Sequence, residues 1–367
     1  MKIVIVNCFD TYEHRAELLF HAFQEKGHRV EVFASDFCHI EKKRREGGKK
    51  GFRYFRTLPY TKNMSLQRLY SHVRLSRIIF KTVEKQADTI DLLWVFVPPN
   101  SFAERAGKIK KKYPRMRLVL DMIDLWPETM PVNAWKAVFP LRLWGQIRNV
   151  GLKNADFITV ECNLYKKTLG SILDGKRVET LYLARQPVEY KPQLHLPDDR
   201  ISLCYLGSMN HIIDIDLIGR IIRACKKHKP VILHMIGSGE NRERFIQVCA
   251  DAGAVIVYHG KIYDRKEKQR IFDSCHYGLN IMKGSVCVGF TMKSVDYLEY
   301  GLPMINNIRG DTWEAVERYG IGLNWREGCF KADDGCGRRH ACRAYFEKFL
   351  SQTHFEKKVQ KIIQMAE

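Results

Sequence analysis

The sequence predicts an α/β protein of two doubly wound domains closed by a C-terminal helix, and three observations carry that reading. Short aliphatic runs alternate with helical patterns in two successive rounds. The runs are almost continuously apolar, as strands of a parallel sheet covered on both faces must be. The chain has 367 residues, enough for two separate cores. Its 45% apolar and 28% charged content excludes extended disorder and fibrous repeats.

The first round opens with K-I-V-I-V-N, continues with a helix near Glu13 to Lys26, and resumes after the turn at Gly27 with R-V-E-V-F. Glu41 to Arg56, E-K-K-R-R-E-G-G-K-K-G-F-R-Y-F-R, reads as a glycine-broken basic loop. Lys62 to Lys85 reads as a long helix with an apolar stripe of Leu66, Leu69, Leu75, Ile78 and Ile79 and a basic face of Arg68, Arg74, Arg77 and Lys81. D-L-L-W-V-F-V, M-R-L-V-L-D and F-I-T-V-E follow as strands. The prolines and polar residues of Lys191 to Arg200 mark a linker, which sets the domains at 1–190 and 191–342. The second round runs through I-S-L-C-Y-L-G, V-I-L-H-M-I-G, V-I-V-Y-H-G, Y-G-L-N-I-M and L-P-M-I-N-N. In 343–367, Tyr345, Phe346, Phe349, Leu350, Phe355, Val359 and Ile362 recur at helical intervals, so this segment is expected to pack back on the fold.

A net charge of +20 favours an anionic partner. The zinc-finger, helical-dimer and single-strand-binding signatures of nucleic-acid proteins are missing, so no nucleic acid is expected. The basic helix either faces water or lies toward an anionic membrane surface. The opening apolar run is too short for a signal peptide, and no stretch approaches the roughly 18 apolar residues of a membrane span. The expectation is a cytoplasmic protein, with the inner face of the plasma membrane as the surface its basic helix would meet. Eleven cysteines, none in C-x-x-C spacing, read mostly as reduced packing residues. Cys329, Cys336, His340 and Cys342 cluster, but their irregular spacing departs from paired zinc knuckles, so no metal is expected.

Chemistry is most legible from Lys293 to Pro303, K-S-V-D-Y-L-E-Y-G-L-P, which follows the glycine-rich run G-S-V-C-V-G-F-T. Lys293 and Asp296, three residues apart, share a helix face, and the first amides of a helix entered from such a run form an anion nest. Diphosphate would meet the lysine and the amides while the acid reaches a ribose hydroxyl, so the order points to a nucleotide-sugar pocket. In the first half, Asp121 and Asp124 follow M-R-L-V-L at the C-terminal edge of a strand, where carboxylates open into a ligand crevice.

Lys293 to Pro303, G-S-G-E at Gly237 to Glu240 and D-L-W-P-E at Asp124 to Glu128 together resemble the retaining GT-B glycosyltransferases of the family 4 (group 1) type, which include bacterial capsule, O-antigen and exopolysaccharide enzymes. The likeness runs from residue 1 to about residue 325 and is stronger in the C-terminal half. It implies two Rossmann-like domains facing a cleft, the N-terminal one taking the acceptor and the C-terminal one the nucleotide sugar. Transfer would proceed with retention and without a required metal or cofactor, with UDP-sugars ahead of GDP-sugars as donors and a glycan or polyprenyl-linked hydroxyl as acceptor.

By the same resemblance, Gly207 and Ser208 lie near the donor phosphates, and Gly237, Ser238, Gly239 and Glu240 lie beside the nucleotide. Gly260, Ile262 and Tyr263 end the strand that reads the base. Lys293 offsets charge on the departing diphosphate, Asp296 takes the place of the glutamate that accepts from the ribose, and Asp124 bonds an acceptor hydroxyl. His14 and Arg185 are further candidates for an anionic ligand. Three positions depart from the family pattern. Val288 stands where an earlier glutamate would be, Asn210 and His211 replace a basic pair after Gly207, and D-T-Y-E-H-R replaces a glycine pair in the first loop. Phosphate neutralisation would then rest on Lys293 with Lys283. The alternative is a catalytically weak or inactive protein of the same fold that binds nucleotide sugar or partners an active transferase. Oligomeric state is not legible.

Overall fold

The computed structural model describes residues 1–63, 65–130, 139–186, 189, 192, 194–328 and 335–366. The chain divides into two compact units, Met1–Tyr182 with Phe355–Glu367, and Leu183–His354. The break at Tyr182 comes ahead of the expected boundary at 190, and Lys191 and Gln193 of the expected linker lie outside the described residues.

In the first unit the strands are β1 (Lys2–Asn7), β2 (Arg29–Ser35), the hairpin pair β3 (Phe37–Cys38) and β4 (Lys43–Arg44), β5 (Phe52–Phe55), β6 (Leu92–Val97), β7 (Arg117–Met122), β8 (Phe157–Val160) and β9 (Arg177–Thr180). All but the hairpin form a parallel sheet of order β5-β2-β1-β6-β7-β8-β9. Helices α1 (Glu13–Gln24), α2 (Leu66–Glu84), α3 (Asn100–Lys112), α4 (Phe139–Leu152) and α5 (Asn163–Leu169) connect them. Every residue of β6 is buried, which is why that strand reads as an unbroken apolar run.

A fully buried carboxylate interrupts this core. Asp121, in β7, is fully buried and accepts from both Arg15 Nε and Nη2 at 2.9 Å and from Trp94 Nε1 at 3.1 Å. It therefore does not open into a crevice as expected. Its strand position turns it toward α1, where Arg15, itself 3% exposed, needs a carboxylate.

Two further expectations are corrected. The presumed basic loop contains β4 and β5, and among its cations Lys43 is ion-paired with Glu41, Arg44 with Asp36, Arg45 with Glu13, and Lys49 with Glu13 and Glu17. The long helix begins at Leu66, capped by Ser65 Oγ accepting from the Arg68 amide at 3.2 Å. Leu66 is 84% exposed and Leu69 39%, whereas Arg68 is buried. The guanidinium of Arg68 lies 4.6 Å over the Trp126 ring and within 6 Å of Phe9 and Tyr60, so contact with aromatic rings reverses the expected face in the first turn. Further along, Leu75 and Ile79 are buried and Arg74, Arg77 and Lys81 exposed, as periodicity assigns. No described helix is long and apolar enough to cross a membrane.

The second unit holds β10 (Ile201–Leu206), β11 (Val231–Ile236), β12 (Ala254–Gly260), β13 (Tyr277–Asn280), β14 (Met304–Asn306) and β15 (Gly322–Asn324) in a parallel sheet of order β12-β11-β10-β13-β14-β15. Its helices are α6 (Ile215–Lys226), α7 (Arg242–Asp251), α8 (Arg265–Asp273), α9 (Met292–Glu299), α10 (Asp311–Tyr319) and α11 (Arg339–Phe349). Strand order reverses between β10 and β13, so their C-terminal ends flank the crevice where open α/β sheets bind ligands. The final helix, α12 (Gln352–Ala366), carries the chain into the first unit, where Phe355, Val359 and Ile362 are buried and Phe355 lies under the Arg15 guanidinium at 5.3 Å.

Candidate functional site

The turns after β10, β11 and β12 lock together through their backbones. Gly207 N donates to Ile236 O at 2.9 Å, Gly237 N to Gly260 O at 2.7 Å, and Met209 N to Ser238 O at 2.9 Å. A Cβ on Gly237 would stand 2.0 Å from the Gly207 carbonyl oxygen, and one on Gly239 would stand 2.4 Å from that of Met209. Gly237 also has φ +134°, a region L side chains rarely adopt. These glycines let neighbouring turns touch whether or not a phosphate is present. Gly237→Ala is expected to destabilise the protein by at least about 2 kcal/mol, from strain and displaced backbone together, read as a lowered urea midpoint. An unchanged midpoint would mean that the two turns are not packed this way.

Lys293 is brought to the same place from α9. Its side chain is 9% exposed, its Cε lies 3.8 Å from where a Gly207 Cβ would be, and its Nζ sits 4.5 Å over the Tyr205 ring and 3.4 Å from Tyr205 Oη. Tyr205 Oη in turn donates to Ser208 O at 2.7 Å. The ammonium is thus folded under the Gly207–Ser208 turn, at the switch between β10 and β13, without an ion-pair partner among the described residues. Burial pulls its pKa from 10.5 down to about 7. Tyr205 went unnoticed in the sequence because it belongs to an apolar strand run.

The start of α9 is fixed by a capping box: Thr291 Oγ1 accepts from Ser294 N and Ser294 Oγ from Thr291 N, each at 3.1 Å. The Ser294 amide is therefore committed to the cap, and the expected anion nest is smaller than a bare helix start would supply. Thr291 Oγ1 donates to Asn280 Oδ1 at 2.8 Å, Asn280 Nδ2 to Asn306 Oδ1 at 2.9 Å, and Asn306 Nδ2 to Asn324 Oδ1 at 2.8 Å. This buried amide ladder across β13, β14 and β15 anchors the helix that carries Lys293.

Asp296 and Arg185, read separately in the sequence, are brought together at 3.7 Å. Arg185 is held by Arg185 N donating to Leu350 O at 3.0 Å and Gln352 N to Arg185 O at 2.9 Å, contacts no sequence signal announces. One turn on, Glu299 is 3% exposed with one carboxylate oxygen unpartnered. Burial and then Asp296 push its pKa up to about 7. Of the remaining candidates in this unit, Glu240 and His211 face each other at 3.5 Å on the surface, Ile262 is half-buried, and Tyr263 and the Lys283 side chain are exposed.

In the first unit, Asp124 holds its own turn. Oδ1 accepts from Leu125 N at 2.8 Å and Thr129 Oγ1 at 2.6 Å, and Oδ2 from Trp126 Nε1 at 2.7 Å. Burial raises its pKa against these three donors. Glu128 takes both Nη atoms of the fully buried Arg148, at 2.7 and 2.8 Å, and His14 is exposed on α1. Of the cysteine cluster, Cys329 lies outside the described residues, Cys336 is exposed, and Cys342 is buried with its thiol toward Ile321 O.

No protein-family profile and no curated protein sequence matches the chain. Solved structures do resemble it over nearly the full length of both partners. Sucrose-phosphate synthase from Thermosynechococcus elongatus superposes with TM-score 0.72 at 12% identity, covering 99% of this chain and 98% of that one. Anabaena HepE in complex with UDP gives 0.66 at 12%, covering 99% and 100%. The lipopolysaccharide outer core galactosyltransferase WaaB gives 0.64 at 14%, covering 99% of each. At such identities the likeness establishes the fold, and the chain has the GT-B topology of two Rossmann-like parallel sheets with a C-terminal helix.

Proposed function

We propose that the protein is a retaining glycosyltransferase that moves a sugar from a nucleoside-diphosphate donor to a hydroxyl of a glycan or lipid-linked glycan. The observation that carries the reading is Lys293, buried beneath the Gly207–Ser208 turn at the strand-order switch of the second unit. An unpaired buried amine is costly unless an anion arrives to meet it. A diphosphate above Gly207 would do so, with the Gly237–Gly239 turn alongside and Gly260 and Ile262 toward the base. Asp296 would accept from the ribose hydroxyls. As the glycosidic bond breaks, the ammonium would take up charge growing on the leaving diphosphate. The fold is shared with a structure holding UDP and glucose, which favours UDP-sugars as the first donors to try. The acceptor would meet the first unit near Asp124, whose oxygens keep lone pairs beyond their three local bonds.

The test is calorimetric titration with UDP, GDP, ADP, CMP and dTDP. One nucleotide is expected to bind selectively, and its 2′-deoxy form about tenfold more weakly if Asp296 reads the ribose, a preference that Asp296→Ala should erase. Binding by none of the five would sink the donor site.

A non-catalytic binder is the second reading, favoured by Val288, half-buried where the family glutamate is missing, and by Arg185 already on Asp296. It predicts nucleotide-sugar binding with no release of nucleoside diphosphate in the presence of any acceptor.

A further inference from the structure

The first unit contains a cavity of about 380 Å³ that the donor chemistry does not use. Its apolar walls are Leu66, Leu69, Met130, Leu141 and the rings of Trp126 and Trp144, and Asn63, Ser65, Arg68 and His72 complete the lining. Phe9 follows β1 and Trp126 follows β7, so the cavity opens at the C-terminal edge of the sheet. A sugar would find few partners on such walls, while an apolar chain would be well covered.

Two polar groups stand in this apolar setting with bonding capacity left over. Arg68 is 9% exposed; Nη1 donates to Asn63 O at 2.8 Å, but Nε is buried and has no hydrogen-bond partner. His72, 2% exposed and stacked near Trp126, likewise has a buried and unpartnered Nε2. Among the described residues no carboxylate lies within ion-pair distance of Arg68. Asp124, whose field reaches it, is held by Leu125, Trp126 and Thr129. A second cation stands close by, since Lys42 Nζ donates to Asn63 Oδ1. From the mouth, the exposed face of α2 runs through Leu66 and Tyr70 to Arg74, Arg77 and Lys81, apolar first and then basic.

We infer that this cavity binds an amphipathic phosphate, with Arg68 and His72 meeting the phosphate and the tryptophan and leucine walls covering the first part of its apolar chain. The Arg68 guanidinium, 4.6 Å over the Trp126 ring, keeps Nε free of any hydrogen-bond partner, and the planar donor fork of a guanidinium suits phosphate oxygens. A buried cation lacking a counter-ion and an apolar wall continuous with exposed leucines are complementary to one ligand class, a lipid carrying phosphate at its end. That this ligand is the lipid phosphate end of a glycan-bearing acceptor rests on the transferase reading; that it binds does not.

The whole protein is titrated with farnesyl monophosphate, with farnesol and with inorganic phosphate, following tryptophan fluorescence and heat. Farnesyl monophosphate is expected to bind, and the alcohol and the bare phosphate at least about tenfold more weakly. Arg68→Gln should lose a similar factor. Because that residue is buried, Leu66→Glu is the companion variant: its site is exposed, so the fold should stand, and the added charge at the mouth should repel the ligand. Equal affinity in wild type and Leu66→Glu, or no binding by folded wild type, overturns the proposal. Vesicles of phosphatidylglycerol distinguish the source of the phosphate, competing with the probe if a bilayer headgroup can enter and leaving it undisturbed if only an isoprenoid phosphate fits. UDP is titrated in parallel. Lost UDP binding with an intact farnesyl response removes the transferase reading alone, and the reverse removes this one alone.

Discussion

Lys293→Ala is expected to lower transfer by about 10²–10³-fold in kcat, the loss seen when a preorganised donor to a developing negative charge is removed. Nucleoside diphosphate should bind about ten to a hundred times more weakly, since a charge-assisted contact is lost and nothing else cationic is buried beneath the Gly207–Ser208 turn among the described residues. The variant should be at least as stable as the parent, because the removed amine opposes folding. With its pKa near 7 in the fold and 10.5 ordinarily, the unfolded chain holds more protons between those values. This group therefore weakens the fold increasingly as pH falls from 10.5 to about 7, and by a constant amount below. Diphosphate binding restores the proton, so binding at about pH 8 should take up a fraction of a proton. Calorimetry in buffers of different ionisation enthalpy measures that uptake, and Lys293→Ala should abolish it. Identical uptake in both proteins would place the diphosphate elsewhere.

Asp121→Ala is expected to destabilise the first unit by about 3–5 kcal/mol, the cost of leaving a buried charge without its partner. Arg15 would lose two 2.9 Å bonds at 3% exposure and Trp94 Nε1 its acceptor. The double variant Arg15→Met/Asp121→Leu should recover most of that loss, because apolar residues of similar size need no counter-charge. Urea unfolding of the three proteins decides it: a single variant as stable as the parent would show that Asp121 is not the counter-ion of Arg15.

That buried pair marks where the sequence stopped being legible. Strands such as β6 are apolar on both faces, so composition alone announces them, and both sheets were visible in outline. The edge strands β5, β9 and β15 were not. They are short, half-exposed and spelled F-R-Y-F, R-V-E-T and G-L-N, patterns that a loop shares. Around the site, Lys293, Asp296 and the three glycine turns could be named because each sits at the junction of a strand or glycine run with a helix. Tyr205, Glu299 and the Asn280–Asn306–Asn324 ladder could not, since their roles arise from neighbours far along the chain. Arg68 shows the same limit. Helical period put it among the solvated cations, and only Phe9, Tyr60 and Trp126, arriving from three other segments, make its burial favourable.

The return of the chain to its first unit has a consequence during biosynthesis. Arg15 and the sheet behind it emerge from the ribosome long before Phe355, Val359 and Ile362, which they are built to receive. At a few to some twenty residues per second, the seat for α12 stands open for roughly ten seconds or more while the whole second unit is made. In that interval the nascent first unit carries an uncovered apolar strip, so this is the stage at which a chaperone would engage the chain. Ribosome-bound chains halted before Phe355 should be captured by trigger-factor-like holdases more strongly than chains released after Ala366.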